Sequence, residues 1–389
     1  MGRQVFGRRT MGRQALVREV LGRRSLLLLA AALAACVNSH APQPSAPGAK
    51  LILAPVPYAE LPGWSEDDLA QALPALRVSC AKIATLPPDS PEGPGAIGGR
   101  GRDWEAPCRA AAVLPDDSAA ARRFFERYFQ AFRLADAASG DRAFLTGYFQ
   151  PEVAGARTPR PGFAVPLYSL PPDLVAPTYS RAEIDAGALA GRGLELVWLA
   201  DPIDAFFVSI QGSAEVALAE GGVMAIGVAG SNGRSYVAIG RDLVARGEIP
   251  ADKISLQTIR AWLRAHPAEA RSVMESNPRY IFFREIPGGG PIGSAGVPLT
   301  AGRSLAVDPA FMPMNVPVYV DSSDARGRPL QRLTLAQDSG SAIKGPLRAD
   351  FYWGAGSAAE TEAGAMQSPG RLFMLLPQGM IAAARSIIQ

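Results

Sequence analysis

Forty glycines and 34 prolines punctuate this 389-residue chain, and that punctuation limits what it can build. Proline removes a backbone donor and blocks a helix interior, while glycine gives up the most backbone entropy on ordering. The pattern favours many short strands and turns over long helices.

The first 35 residues are a different kind of sequence. Seven arginines and one glutamate precede Cys36, and residues 26–35 run apolar into that cysteine. A basic start, a short apolar stretch and small residues before the cut describe a secretory signal. The stretch is too short to span a bilayer as a mature helix. Leu33-Ala34-Ala35-Cys36 is similar to the bacterial lipobox, in which the cysteine is acylated and becomes the new N-terminus. An ordinary signal peptide with a chance cysteine is the alternative. Arg23-Arg24 leaves Sec and twin-arginine export both open, and Met11 is an alternative start. Residues 1–35 therefore read as a lipoprotein signal peptide and 36–56, rich in Pro, Ala, Ser and Gly, as a tether. Val37-Asn38 lacks the aspartate linked to inner-membrane retention, which points to an outer-membrane anchor facing the periplasm. Without the signal, 32 basic residues face 35 acidic ones, a net charge of about −3. The apparent basicity belongs to the signal, so nothing here recommends a nucleic-acid partner.

Two cysteines, Cys80 and Cys108, remain for an oxidising compartment and read as a disulfide, with two free buried thiols as the alternative. The only histidines are His40 and His266, the second on a surface helix before Pro267. That scarcity argues against a Ser-His-Asp or Cys-His nucleophile and against a histidine-based zinc site. No metal and no organic cofactor is expected.

Three segments follow the tether. Residues 57–151 carry helical patterns over Ser65–Ile83, which Pro74 must kink or interrupt, and over Ser118–Ala137, whose aromatics read as core. A strand-like run, Phe144–Pro151, closes the segment. Residues 152–285 form a mixed unit. It opens a short helix with the capping box Ser180–Glu183, reads as a buried strand over Ala205–Gly212, and has helices at Ile239–Arg246, Ser255–Ala265 and Pro267–Glu275. Tyr280–Phe283 returns to strand. A glycine-rich connector, Gly288–Gly296, leads into residues 286–389, mostly strand: Pro317–Val320, Leu330–Ala336 and Arg371–Leu376.

The chemistry-bearing residues gather near the end. Asp338 lies in Gln337-Asp338-Ser339-Gly340-Ser341-Ala342-Ile343-Lys344-Gly345, and Asp350 opens Asp350-Phe351-Tyr352-Trp353-Gly354. Asp308 stands 30 positions before Asp338, in Val307-Asp308-Pro309. Paired carboxyls among aromatics suit acid chemistry on a sugar ring. If residues 349–354 are extended, Tyr352 shares the face of Asp350 and is the sugar contact, while Phe351 points into the core.

These motifs, with Thr146-Gly147-Tyr148 upstream, resemble the membrane-bound lytic murein transglycosylase A family, whose C-terminal segment is named for three aspartates. Ser180–Leu189, Val208–Ser213 and Asn277–Phe283 are similar to that family's inserted domain. The resemblance runs from about Leu145 to Pro377. It implies a mainly β fold: a double-psi β-barrel domain interrupted by a second, smaller β-rich domain, with a few helices near the N-terminus and a groove between the domains for a glycan strand. It also implies cleavage of the β-1,4 bond between N-acetylmuramic acid and N-acetylglucosamine, leaving 1,6-anhydro-muramyl ends. Asp350 falls on the family's single catalytic acid.

Asp350 would then hold a proton near neutral pH through apolar surroundings and a second carboxylate. Asp338 is either its partner or a loop residue satisfying the amides of residues 339–341. Thr146, Tyr148, Gln211, Asp308, Lys344 and Tyr352 complete a candidate substrate-binding set. For Asp308 a structural role, for Lys344 a solvated one and for Tyr148 core packing stay open. The expected partners are peptidoglycan strands, the membrane through Cys36, and cell-wall synthesis or hydrolysis complexes. Two other functions fit the residues: a hydrolase using Asp350 as acid and Asp338 as base, and a non-catalytic, expansin-like wall-binding protein.

Overall fold

The computed structural model describes residues 1–2 and 49–380, apart from 138, 176, 288 and 289. The signal peptide, Cys36, His40, residues 37–48 of the tether and part of the glycine-rich connector lie outside the described residues. In chain order the main elements are β1 (Leu51–Val56), α1 (Leu73–Ile83), α2 (Gly101–Ala112), α3 (Ser118–Tyr128), β2 (Phe129–Asp136) and β3 (Ala143–Gln150). Then come β4 (Glu152–Ala156), β5 (Val165–Tyr168), α4 (Arg181–Asp185), β6 (Glu195–Leu199), α5 (Pro202–Gln211), β7 (Ser213–Leu218) and β8 (Val223–Ser231). These are followed by α6 (Ile239–Ala245), α7 (Leu256–Ala265), α8 (Pro267–Glu275) and β9 (Ile281–Glu285). The last set is β10 (Ser304–Val307), β11 (Pro317–Ser323), β12 (Pro329–Asp338), β13 (Arg348–Ala355), α9 (Gly356–Ala365) and β14 (Gln367–Pro377).

Two sheets divide the strands. The larger runs β1-β2-β14-β11-β12-β10-β13-β3, and β3 also pairs back onto β14. That last pairing closes a six-stranded ring, with β1 and β2 added outside it. Long β14 makes closure possible because it serves two neighbours along one edge. Gln367–Gly370 lies against β3, and residues 373–377 lie against β2. The smaller sheet, β5-β6-β4-β7-β8-β9, is built wholly from residues 152–285. Its position between β3 and β10 makes it an insertion into the ring.

Four sequence expectations change. Leu51–Val56, inside the stretch read as tether, is a strand paired antiparallel with β2. The helix expected over Ser118–Ala137 stops at Tyr128, where Phe129 turns extended (φ −126°, ψ 150°). From there the chain alternates buried and half-buried positions as β2, and pairing on both edges outweighs the aromatic stripe's helical spacing. The helical pattern over Ser65–Ile83 is interrupted, as Pro74 requires, but the α-helix starts only at Leu73 after a 3-10 turn at Leu69–Ala72. Pro74 sits in its first turn, where a missing N–H costs nothing.

The fourth change concerns Ala205–Gly212, which is helix rather than strand. The Asp201 side chain caps α5 at Ile203 N, Pro202 occupies the first turn, and Gly212 ends the helix left-handed at φ 81°. Its run is apolar all round because it is sandwiched. Ala205 and Val208 face the sheet core, while Ile203, Phe206 and Phe207 face the cluster of α6, α7 and α8. Among the described residues five helices lie within 152–285, so helices are not confined to the N-terminal part.

The N-terminal helical segment is fastened to the ring by a buried ion pair. Arg303 gives two parallel bonds to Asp67, at 2.9 and 2.8 Å, and the Leu333 amide adds a third at 2.8 Å. A disulfide joins Cys80 of α1 to Cys108 of α2.

Candidate active site

Strand register brings the two C-terminal aspartates to one level. Ala306 of β10 is opposite Asp338 of β12 on one side and opposite Asp350 of β13 on the other. With neighbouring strands about 4.8 Å apart, the two Cα atoms lie about 10 Å from each other. On its other edge β13 runs parallel to β3, pairing Asp350 with Thr146 and Tyr352 with Tyr148. Side chains two apart share a face of a strand, so Arg348, Asp350 and Tyr352 line up beside Phe144, Thr146 and Tyr148.

Asp350 is held through one oxygen. Arg348 Nη1 donates to Oδ1 at 2.5 Å, and the Thr146 hydroxyl donates to the same oxygen. Arg348 Nη2 also donates to Thr146 Oγ1 at 2.6 Å. The guanidinium lies 5.4 Å from the Phe144 ring centre and bonds its neighbour's carbonyl at Ala349. The pair is not sealed: side-chain exposure is 11% for Arg348 and 18% for Asp350. Tyr236 of the inserted domain is near enough to sense this site: burial, and then the Asp350 charge, push its hydroxyl up. The apolar surroundings expected for Asp350 are thus only partly found. A cation stands against it, and that side chain was legible two positions upstream on the same face.

Asp338 has a different environment. Its Oδ1 accepts the amides of Ser294 and Ser339, each at 2.9 Å. Burial pushes its carboxyl above the ordinary value, and the two amides offset this only in part. Beside it Gln337 is fully buried, giving Nε2 to Ala75 O and Ser79 Oγ of α1 and accepting Ser304 Oγ at 2.6 Å. Both readings of Asp338 therefore have support: it satisfies loop amides and it sits level with Asp350.

The remaining candidates separate. The rings of Tyr148 and Tyr352 lie 5.1 Å apart. The buried Tyr148 hydroxyl makes no well-aligned hydrogen bond, yet burial and then the Asp338 charge push it well up. Tyr352 is only 3% exposed, so its ring is not the open sugar platform expected; Phe351 is core, as expected. Gln211 Oε1 accepts the Phe149 amide at 3.2 Å, tying α5 of the insertion to β3. Asp308 is 4% exposed and spends its oxygens on the amides of Ala310 and Gly345. That makes it a pin for the turn before β13 rather than a glycan contact. Lys344 is exposed, 4.0 Å from Asp308 and not joined to Asp338. Ser294 and Tyr236 carried no sequence signal: one is in the glycine-rich connector, the other in an irregular loop.

A ring wall bearing two carboxyls at one level, with tyrosines beside them and an inserted domain alongside, defines a class: proteins whose site can do acid–base chemistry. Comparison with known proteins narrows it. Residues 144–284 match the MltA specific insert domain and 303–376 match the 3D domain. The chain is 35% identical over 255 residues to membrane-bound lytic murein transglycosylase A of Vibrio cholerae, covering 63% of this chain and 68% of that protein. A membrane-bound lytic murein transglycosylase from Agrobacterium tumefaciens superposes with a TM-score of 0.76 at 34% identity, over 86% of this chain and 99% of that one. Escherichia coli MltA with bound chitohexaose superposes with a TM-score of 0.65 at 27% identity, over 87% and 94%. The chain belongs to the membrane-bound lytic murein transglycosylase A family.

Proposed function

We propose that this protein is a peptidoglycan lytic transglycosylase in which Asp350 is the single acid and base. It cleaves the β-1,4 bond between N-acetylmuramic acid and N-acetylglucosamine and leaves a 1,6-anhydro-muramyl end. The observation that carries the assignment of Asp350 is its place on β13. It is partly open, bonded to Thr146, and close enough to Tyr236 of the insertion to act on it. The glycan strand is read as lying between ring and insertion, and the relative crystallised with bound chitohexaose supports glycan binding as such.

Chemistry proceeds without water. Protonated Asp350 gives its proton to the glycosidic oxygen as the C1–O bond breaks. The carboxylate then takes the proton of the muramyl C6 hydroxyl while that oxygen closes on C1. An intramolecular nucleophile acts at very high effective concentration, so one carboxyl can serve both steps. The six-stranded ring is read as a double-psi barrel, interrupted by the smaller inserted β-rich domain. The chain is read as an outer-membrane lipoprotein anchored at Cys36 and facing the periplasm; no helix among the described residues is long and apolar enough to cross a membrane. Wall-synthesis or hydrolysis complexes are the proposed settings.

A second reading has a specific observation behind it. Asp338 and Asp350 both stand opposite Ala306, so two carboxyls occupy one level of the ring wall, the number an inverting glycosidase needs. A hydrolase would use Asp338 as base on a water. Asp350→Asn decides whether Asp350 matters at all: turnover of purified sacculi should disappear while sacculus binding persists. Soluble product at the wild-type rate would remove Asp350 from its role.

A further inference from the structure

Both hydrogen bonds to Asp350 land on Oδ1, while Oδ2 accepts none from the described residues. That asymmetry bears on a proton carrier. A carboxyl that can rotate offers either oxygen, and each wrong orientation wastes an encounter. Here Thr146 and Arg348 also bond each other at 2.6 Å, so the two donors form one clamp. The clamp is itself braced, with Arg348 lying against the Phe144 ring and bonded to Ala349 O.

We infer that Arg348 is a positioning residue for Asp350: with Thr146 it pins Oδ1, leaving Oδ2 to carry the travelling proton, and it stabilises the carboxylate formed between the two chemical steps. This rests on Asp350 being the acid and base. In the first step the Oδ2–H bond breaks and the proton goes to the glycosidic oxygen, which leaves with the C1–O electron pair. Asp350 is then an anion facing Arg348. In the second step the C6 oxygen bonds C1 and its proton returns to Oδ2. Nothing is consumed, and the clamp never releases Oδ1. The guanidinium faces the carboxylate that donation leaves behind, in a charge-assisted contact already in place.

The test is kcat and KM on soluble glycan strands for wild type, Arg348→Gln and Arg348→Lys. Arg348→Gln removes both the charge and the fork, so kcat should fall by about tenfold or more with KM little changed, since only the intermediate anion loses its partner. Arg348→Lys keeps the charge but not the fork and should recover part of that loss.

A merely structural arginine would behave otherwise. Both variants would then lose kcat equally, in step with a lowered Tm, and that result overturns the inference. Thr146→Val and Thr146→Ser guard against a variant that fails to fold. Valine should lower plateau kcat about ten- to hundredfold, and serine should restore most of it; equal activity in both would also overturn the inference. An active Asp350→Asn would instead refute the reading beneath it, so the two failures are distinguishable.

Discussion

The buried pair between Asp67 and Arg303 sets the stability of the ring's junction with the N-terminal segment. Both side chains are only 3% exposed. Asp67→Ala removes the acceptor of three hydrogen bonds at once: two from the guanidinium and one from the Leu333 amide. Breaking a buried pair by removing one partner ordinarily costs about 3–5 kcal/mol. Two features place this case at the low end. Arg303 keeps bonds to the carbonyls of Leu333 and Asp68. A polar cavity of about 290 Å³, lined by Glu66, Asp68, Gln71, Gln331 and Arg332, also adjoins it and can admit water. We expect a loss of about 3 kcal/mol, read by urea unfolding as a lower midpoint at unchanged slope, and a fall in Tm of about 6 °C. Replacing both partners, Asp67→Leu with Arg303→Met, should recover to within about 1 kcal/mol of wild type, because no charge is then stranded. A single variant within 1 kcal/mol of wild type, or a double variant as unstable as the single, would refute this reasoning.

Three further outcomes are expected. Removing the disulfide with Cys80→Ala and Cys108→Ala opens a link across 28 residues, which should cost about 3–4 kcal/mol and appear as the Tm difference from the oxidised wild type. Gly147→Ala places a methyl 2.6 Å from Ala363 Cα and 2.7 Å from Trp353 Nε1. It should destabilise by about 1–3 kcal/mol and lower kcat, since β3 carries Thr146; unchanged thermal melting and kcat would contradict that packing. Asp338 holds its proton more tightly folded than unfolded, so its contribution is full below about 3.8 and erodes as pH rises through the raised folded value. Asp338→Asn should therefore gain stability relative to wild type as pH increases from 4 to 7, measured by urea midpoints, and a constant difference would contradict the burial argument.

Much of the site was legible because local chemistry and fold agree there. Asp338, Asp350, Thr146 and Tyr148 are quoted by motifs, and strand register brings the first three to one level with Tyr148 two residues along β3. What stayed hidden depended on tertiary choice. The strand expected at Ala205–Gly212 is a helix because both of its faces are buried, which erases the amphipathic signal; its Asp-Pro start and glycine stop were the overlooked clues. Phe129 and Phe132 fit a helical stripe, yet they entered a sheet because β1 and β14 offered two edges. Tyr352 was rightly placed on the face of Asp350, but alternation does not report that Tyr148 covers it. Asp308 reads as a site residue only until its partners are known, for the amides of Ala310 and Gly345 consume it.

In the proposed reaction one carboxyl moves a proton out and back while no water enters. Digestion of purified sacculi by the protein in ¹⁸O-water, with mass spectrometry of the soluble muropeptides, tests this most directly. Fragments one water lighter than hydrolytic ones are expected, with no ¹⁸O at the muramyl C1. Reducing muramyl ends carrying ¹⁸O would contradict it and assign Asp338 the part of a base.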